Sequence, residues 1–311
     1  MTGRTSSPNV EFFCAMFSKL RALVRYSIPE FLNHPLWRGR RLQPFVRFAR
    51  LQLIFALGEK RVYLRWIDKL MLPMEKGDTG LTGNYYLGLH EFEDMSFAIH
   101  LLRQGNIFID VGSNLGSFSL LASGVSKANS FAFEPVPATY DRLTENIGVN
   151  FLGDKIVAKR LALSTPLNGL NQAKLRFSSD RGCMNSFVDD SYTGSAICVD
   201  VSTLDIECKN LAPVLIKIDV EGFEEDVLEG ASETLAKSSL LAVIIEGQAE
   251  RVNRFFRDAG FVDVNYIPLS RRIEPHTKRF SNRIWIKKGK IDEVSNLLLT
   301  APPQVVYGNN F

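Results

Sequence analysis

Cysteine and histidine are scarce, with four of each in the chain. Cys14, Cys183, Cys198 and Cys208 form no C-x-x-C pair and share no metal-ligand spacing with the histidines. Neither a disulfide framework nor a metal site is expected, and scattered reduced thiols suit a cytoplasmic protein. Long apolar runs are also missing. The longest, Leu51 to Leu57, is interrupted by Gln52 and flanked by arginine, well short of the roughly 18 to 20 residues that cross a bilayer. The segment Val10 to Phe17 contains Glu11 and lacks a small-residue cleavage site before Lys19, so a cleaved leader is not expected. No internal repeat, low-complexity stretch or G-x-G-x-x-G triplet of glycines occurs.

What is present is ordinary globular composition, 45% hydrophobic and 23% charged over 311 residues, enough for one α/β core with an extension. The charge is unevenly divided. Residues 1–69 carry thirteen Lys/Arg against four Asp/Glu, whereas the remainder is acidic. A basic front end on an acidic body can be a solvated helical face or a contact with an anionic surface. Between Glu11 and Leu70 apolar residues recur at helical spacing with breaks at Pro29, Pro35 and Pro44, which predicts several short amphipathic helices. In the strongest, Phe45 to Leu57, the greasy face is Phe45, Phe48, Leu51, Ile54 and Phe55, suited to packing on the body or to a membrane interface.

From Asn106 the pattern changes. Strands are predicted at Ile107–Val111, Ser130–Glu134, Ile156–Leu163, Val214–Asp219 and Leu241–Glu246, with helices at Gly116–Val125, Ala138–Val149, Glu224–Ala236 and Arg251–Ala259. Strands without inside/outside alternation, separated by helices, mean a parallel sheet covered on both faces. Phe261–Tyr266 and Arg283–Lys287 then read as an antiparallel hairpin at the sheet edge, and residues 172–201 as an antiparallel insertion turning at Gly182 and Gly194. The fold class expected is a doubly wound, Rossmann-like α/β sheet of seven strands with an antiparallel edge strand. The expected divisions are a basic helical extension over 1–80, the main domain over 81–290, and a C-terminal helix and tail over 291–311.

The segment Asp110-Val111-Gly112-Ser113-Asn114-Leu115-Gly116 runs off a strand into a helix, where ligands bind in such sheets. Gly112 would let the backbone approach a ligand, and Gly116 would allow tight packing at the helix start. Glu134 ends the next strand, placed to accept both ribose hydroxyl hydrogens of a nucleoside. Charge then chooses the cofactor. A dinucleotide pyrophosphate wants bare amides in triple-glycine spacing, and Asp110 would repel it. S-adenosylmethionine has no phosphate and carries an ammonium and a sulfonium, which Asp110 attracts.

These segments, with Phe133-Glu134-Pro135-Val136-Pro137, then Thr203-Leu204-Asp205, then Ile216-Lys217-Ile218-Asp219-Val220-Glu221-Gly222, resemble the FkbM family of methyltransferases over about residues 86 to 288. The resemblance implies S-adenosylmethionine on a seven-stranded sheet and methylation of hydroxyls on sugars or polyketide-like products. By it Asp110, Gly112, Ser113, Asn114 and Gly116 form the methionine-side loop and Glu134 holds the ribose. Ser113 departs from the family's usual D-V-G-A-N and adds a hydroxyl near the ligand.

Methyl transfer to an alcohol needs an aligned nucleophile and a group that takes its proton. Asp219 is the favoured base or acceptor-orienting residue, Glu221 the second choice unless it caps the following helix, and Lys217 and Glu246 are candidate acceptor contacts. Asp219 and Glu246 with Gln248 could also hold Mg²⁺, but the usual Asp-Asn pair is missing and no metal is expected. The Asn/Asp-Pro-Pro-Tyr text of amine-directed, nucleic-acid enzymes is absent, so no nucleic-acid partner is expected. Acceptor selection is assigned to Arg181, Asn185 and Ser186, to Tyr85, Tyr86, His90 and Glu91, and to the basic loop Arg271 to Arg279 with His276. His100 reads as a partly buried helix residue. The function expected is O-methylation of a small-molecule or glycan hydroxyl, in the cytoplasm or peripheral to the membrane through the basic helices. The competing reading is a catalytically weak adaptor that docks on a membrane or polyanion.

Overall fold

The computed structural model describes residues 28–78, 80–165, 172–176, 186–188, 196–247, 249–276 and 282–311. In the extension, helices α1 (Ile28–Asn33) and α2 (Gln43–Ala56) precede a hairpin of β1 (Arg61–Arg65) and β2 (Met71–Glu75). The helical reading up to Leu70 is corrected here. The chain reverses at Asp68 with φ of +51°, and the Arg-Val-Tyr-Leu-Arg text of β1 alternates charge and apolar groups at strand period.

Helices α3 (Thr82–Leu87) and α4 (Phe92–Leu101) lead into the core, whose elements are β3 (Ile107–Val111), α5 (Ser117–Gly124), β4 (Asn129–Phe133), α6 (Pro137–Val149) and β5 (Ile156–Lys159). A small four-stranded sheet follows, from β6 (Ala162–Leu163), β7 (Gln172–Arg176), β8 (Ser186–Val188) and β9 (Ala196–Ser202). The third strand was therefore read too long. It ends before Arg160, and Ala162–Leu163 turns away to pair with Val201 and Ser202. The insertion is antiparallel as expected, with Lys174 opposite Val188 and Cys198. Its predicted turns at Gly182 and Gly194, and Arg181 and Asn185, lie outside the described residues.

After α7 (Leu204–Glu207) come β10 (Pro213–Ile218), α8 (Glu224–Glu229), α9 (Ser232–Ala236), β11 (Ala242–Ile245), α10 (Glu250–Asp258), β12 (Phe261–Ile267), β13 (Arg272–Pro275), β14 (Arg283–Lys287) and α11 (Ile291–Leu299). The single helix read over 224–236 is two. Gly230 turns beneath the Ser164 carbonyl, and Asp205 accepts from the Glu233 and Thr234 amides at 3.0 and 2.6 Å to start α9. The Thr-Leu-Asp motif is thus a pair of helix caps, since the Thr203 hydroxyl also accepts from the Ile206 amide.

The main sheet has the order β13-β12-β14-β11-β10-β3-β4-β5. Seven of these strands give the expected doubly wound pattern, with β14 inserted antiparallel between β11 and β12, and β13 extends the edge as an eighth. Successive residues of one strand serve opposite cores. Leu215 and Ile244 join the layer shared with the extension, while Ile216 and Val243 join the layer of Val227, Phe256 and Trp285. Burial on both faces explains the missing alternation. Leu51 and Phe55 of α2 are buried with Phe31, Trp37 and Leu72, so the greasy face packs on the body. His100 is fully buried, its Nδ1 2.6 Å from the Tyr266 hydroxyl.

Candidate functional site

Strand β3 delivers the loop that the sequence singled out. Gly112 has φ of +74°, and a Cβ there would lie 1.8 Å from the Asp219 backbone oxygen. Its glycine is required by the neighbouring strand. Gly116, at φ of +87°, would place a Cβ 2.5 Å from a Leu143 methyl, the tight helix packing expected. Asn114 adopts φ of +50°, a conformation asparagine tolerates better than most residues. The loop is fastened to β4: the Gly112 and Ser113 amides both donate to the Phe133 carbonyl at 3.0 Å.

Glu134 is only 6% exposed. Its carboxyl accepts from the Asn114 amide at 3.0 Å and the Val136 amide at 2.9 Å. Burial pushes its pKa up to about 7, opposed by those two amides. Asp110 is buried beneath the loop and accepts from the Ser119 amide at 3.1 Å and its hydroxyl at 2.6 Å. It therefore anchors the first turn of α5, where the helix dipole favours an anion, besides facing the cavity. Burial raises its pKa, and the Lys217 ammonium opposes the rise.

On the adjacent strand, opposite Asp110 in register, Lys217 is 4% exposed and donates to Asp219 at 2.5 Å, its ammonium 4.7 Å from the centre of the Phe118 ring. Burial disfavours that charge, but Asp219, Glu91 and Asp110 more than offset it, so the lysine is held charged. For Asp219, burial acts to raise the pKa, yet Lys217 and a hydrogen bond from Glu246 hold it below the usual range. Glu246, which donates that bond, is pushed up to about 8 by it and by burial. The pair behaves as one ionised and one protonated carboxyl sharing a proton. Glu221 has φ of +53° and is exposed; burial of part of its carboxyl and the nearby Asp219 charge raise its pKa. It does not cap the next helix. Glu224 instead accepts from the Gly222 amide at 3.1 Å.

These groups enclose a cavity of about 430 Å³. Asp110, Gly112, Ser113, Asn114 and Glu134 line it together with Lys217, Asp219, Glu221 and Glu246. Gly116 lies behind the loop. Ser186 starts β8 opposite Arg176. The sequence reading missed Phe118, which shields Lys217, and Leu161 to Leu163, which line the cavity once β5 is seen to end early. The Lys159-Arg160 charge pair was the available signal for that end. Of the assigned acceptor residues, His90 and Glu91 line the cavity, whereas the two tyrosines and the Arg271 loop belong elsewhere. Tyr85 and Tyr86 are buried, and Arg47 lies 5.3 Å from the centre of the Tyr85 ring and 3.3 Å from that of Tyr307. Arg271 holds the C-terminal tail through the carbonyls of Ala301, Pro302 and Phe311. His276 is 3.3 Å from Asp263 at the sheet edge.

The cavity fits a cationic nucleoside. One buried carboxyl waits at the end of β4, another lies beneath the turn, and the Ser113 hydroxyl, 6% exposed, has no partner among the described residues. Comparison with known proteins agrees. Residues 110–263 match the methyltransferase FkbM domain. The hexuronic acid methyltransferase AglP of Haloferax volcanii is 33% identical over 144 residues, which is 46% of this chain and 56% of that protein. The methyltransferase sdnD of Sordaria araneosa is 28% identical over 178 residues, 46% of this chain and 66% of its own. The chain thus spans less than two thirds of either relative. With the family match running from the carboxylate under the glycine turn to the hairpin at the sheet edge, the chain belongs to the FkbM family of S-adenosylmethionine-dependent methyltransferases.

Proposed function

We propose that the chain is an O-methyltransferase acting on a hydroxyl of a glycan, glycolipid or polyketide-like small molecule, with 81–290 as its catalytic unit. The observation that carries this reading is the array of buried Lys217 with half-buried Asp219 and Glu246 in the lining of the cavity that also holds Glu134. S-adenosylmethionine, when bound, supplies a methyl group on a sulfonium that departs as a neutral thioether. Glu134 accepts the ribose hydroxyls, and Asp110, Gly112, Ser113, Asn114 and Gly116 shape and charge the methionine side. Asp219 orients the acceptor hydroxyl and takes its proton as the oxygen gains the methyl. A carboxylate of low pKa suffices because that proton becomes strongly acidic as the new bond forms. Lys217 keeps Asp219 ionised, Glu246 stores the shared proton, and Glu221 at the rim, with Asn185 and Ser186 of the insertion, contacts the acceptor.

Asp219, Glu221 and Glu246 bring carboxylate oxygens within 4.8 Å of one another. Lys217 already supplies the positive charge a cation would bring, so this reading needs no metal.

The ribose contact requires ionised Glu134. Because its pKa lies near 7 without ligand, binding should release a proton below that pH. Affinity for S-adenosylmethionine is expected to strengthen up to about ten-fold as pH rises from one unit below that value to above it. Titration calorimetry at several pH values checks this, and Glu134→Gln should bind weakly with a flat profile. A wild type that binds no S-adenosylmethionine would instead leave the adaptor reading.

Peripheral membrane contact has one specific support. The outward face of α2 exposes Val46 and Leu53, continued by Leu42 and Leu57 just beyond its ends, next to Arg41 and Arg50. Among the described residues no helix is long and apolar enough to cross a membrane. A Val46→Glu/Leu53→Glu variant should lose at least about ten-fold in co-sedimentation with anionic vesicles, with cofactor affinity unchanged. Equal sedimentation of both proteins would reject the contact. Deleting the whole extension would not be a clean test, since Trp37 and Leu51 belong to the core.

A further inference from the structure

A second groove, of about 550 Å³, opens from the catalytic array and shares Asp219, Glu246, His90 and Glu91 with the cofactor cavity. Its remaining wall brings together Glu30, Glu93, Asp94 and Asn282 with His34 at its back, and contains no lysine or arginine among the described residues. We propose that this groove is the acceptor subsite and that it selects an acceptor carrying an ammonium beside the reacting hydroxyl, an amino sugar or amino alcohol, while rejecting uronic acids and sugar phosphates. The proposal rests on the O-methyltransferase reading and narrows its substrate class.

The charges do not cancel. Glu30 faces His90 at 3.1 Å and raises its pKa, so that pair approaches neutrality. Asp219 is matched by Lys217, and Glu246 is protonated. Among the described residues Glu91 and Asp94 form no ion pair of their own, and share only the longer-range field of Lys217. Both accept from the same Asn282 amide nitrogen, at 2.8 and 3.0 Å. A neutral amide satisfies a lone pair on each but brings no charge. Accordingly burial and the neighbouring Glu91 push Asp94 up to about 7. Two carboxyls gathered around a neutral donor, in a cleft of reduced dielectric, form a seat for a cation and a barrier to an anion.

His34 supplies an independent observation. It is 6% exposed in the groove wall, and burial lowers its pKa to about 4, so the ring is neutral. Nε2 lies 2.8 Å from the Leu89 carbonyl and must donate to it, which leaves Nδ1 as an acceptor. That nitrogen has no partner among the described residues. A hydrogen-bond donor is what this wall lacks, and an ammonium or its adjacent hydroxyl provides one. Held as an ammonium, the acceptor's nitrogen has no lone pair with which to attack, so the neighbouring hydroxyl is the group presented to Asp219.

The test uses the full chain loaded with S-adenosylhomocysteine and three probes, namely protonated glucosamine, N-acetylglucosamine and glucuronic acid, with binding followed by saturation-transfer NMR. Glucosamine should bind at least about ten-fold more tightly than glucuronic acid. Asp94→Asn and, separately, Glu93→Gln should shrink that preference while leaving N-acetylglucosamine and S-adenosylhomocysteine affinities unchanged. Glucuronic acid binding as tightly as glucosamine, a preference that survives both variants, or no binding of glucosamine at all would each overturn the proposal. Loss of S-adenosylhomocysteine binding by the wild type would instead overturn the methyltransferase reading beneath it.

Discussion

Gly112→Ala is expected to abolish measurable S-adenosylmethionine binding and to lower stability by about 3 kcal/mol, which is roughly 6 °C in melting temperature for a chain of this size. The added methyl would sit 1.8 Å from the Asp219 backbone oxygen. That atom cannot swing aside as a side chain would. It follows directly on a strand pair in register, Ile218 opposite Val111, and the Asp219 amide donates to the Val111 carbonyl at 3.0 Å. Relief must come from separating the ends of two central strands or from moving the 112–116 loop. The positive φ adds strain of its own to any residue with a Cβ. Either movement displaces Glu134's partner amide at Asn114 on one side and Asp219 on the other, so one methyl group should damage both halves of the site. Gly116→Ala is the control. Its added methyl meets only the end of the flexible Leu143 side chain, so the loss should be about 1–2 kcal/mol, chiefly the strain of a Cβ at positive φ, and cofactor affinity should fall far less than in Gly112→Ala. Denaturant melts and calorimetric titration of the two variants check the contrast. Equal behaviour would mean that the turn is not pinned against β10.

The sheet was legible because its central strands β3, β10 and β11 are apolar apart from Asp110 and Lys217, without the alternation of a half-exposed sheet. Asp110 and Glu134 were legible because carboxylates at the ends of apolar strands are conspicuous. What the text hid is instructive in a different way. The Arg61–Glu75 hairpin is short and charged, and the apolar residues around it recur closely enough to helical spacing to pass as one more helix. At Gly112 the sequence marked the position but not its crowding against Asp219, which comes from a segment 107 residues later and which only the register of β3 with β10 creates. Tyr85, Tyr86 and Arg271 carry residue types common in binding sites, yet they serve the packing of the extension and tail. The acidic groove was invisible for the same cause in reverse. Asn282 reaches Glu91 across 191 positions of sequence, and nothing local marks an asparagine as the bridge between two carboxyls.

Asp219→Asn should reduce methyl transfer by about 10² to 10⁴-fold while changing the affinity for S-adenosylmethionine far less. The amide keeps the shape and can still accept from Lys217, but it cannot take the acceptor's proton or bear the charge that the lysine stabilises. It also returns Glu246 toward an ordinary carboxyl, because the bond to Asp219 is the largest cause of its raised pKa. The wild-type consequences have a definite sign. A carboxyl whose folded pKa lies above its unfolded value contributes stability that is full below the unfolded pKa and lost as pH rises through the folded one. Glu246, at about 8, therefore weakens the unliganded wild type progressively between the ordinary carboxyl value of 4.5 and about 8. In the Asp219→Asn protein that decline should be shallower, even though its absolute stability suffers from leaving Lys217 with fewer partners. Melting curves across this range separate the two effects, and single-turnover methyl transfer measures the chemistry. Should the variant retain wild-type turnover with a normal pH profile, the proton must leave by another route, and Glu221 and Glu246, the neighbouring ionisable carboxyls, become the residues to replace.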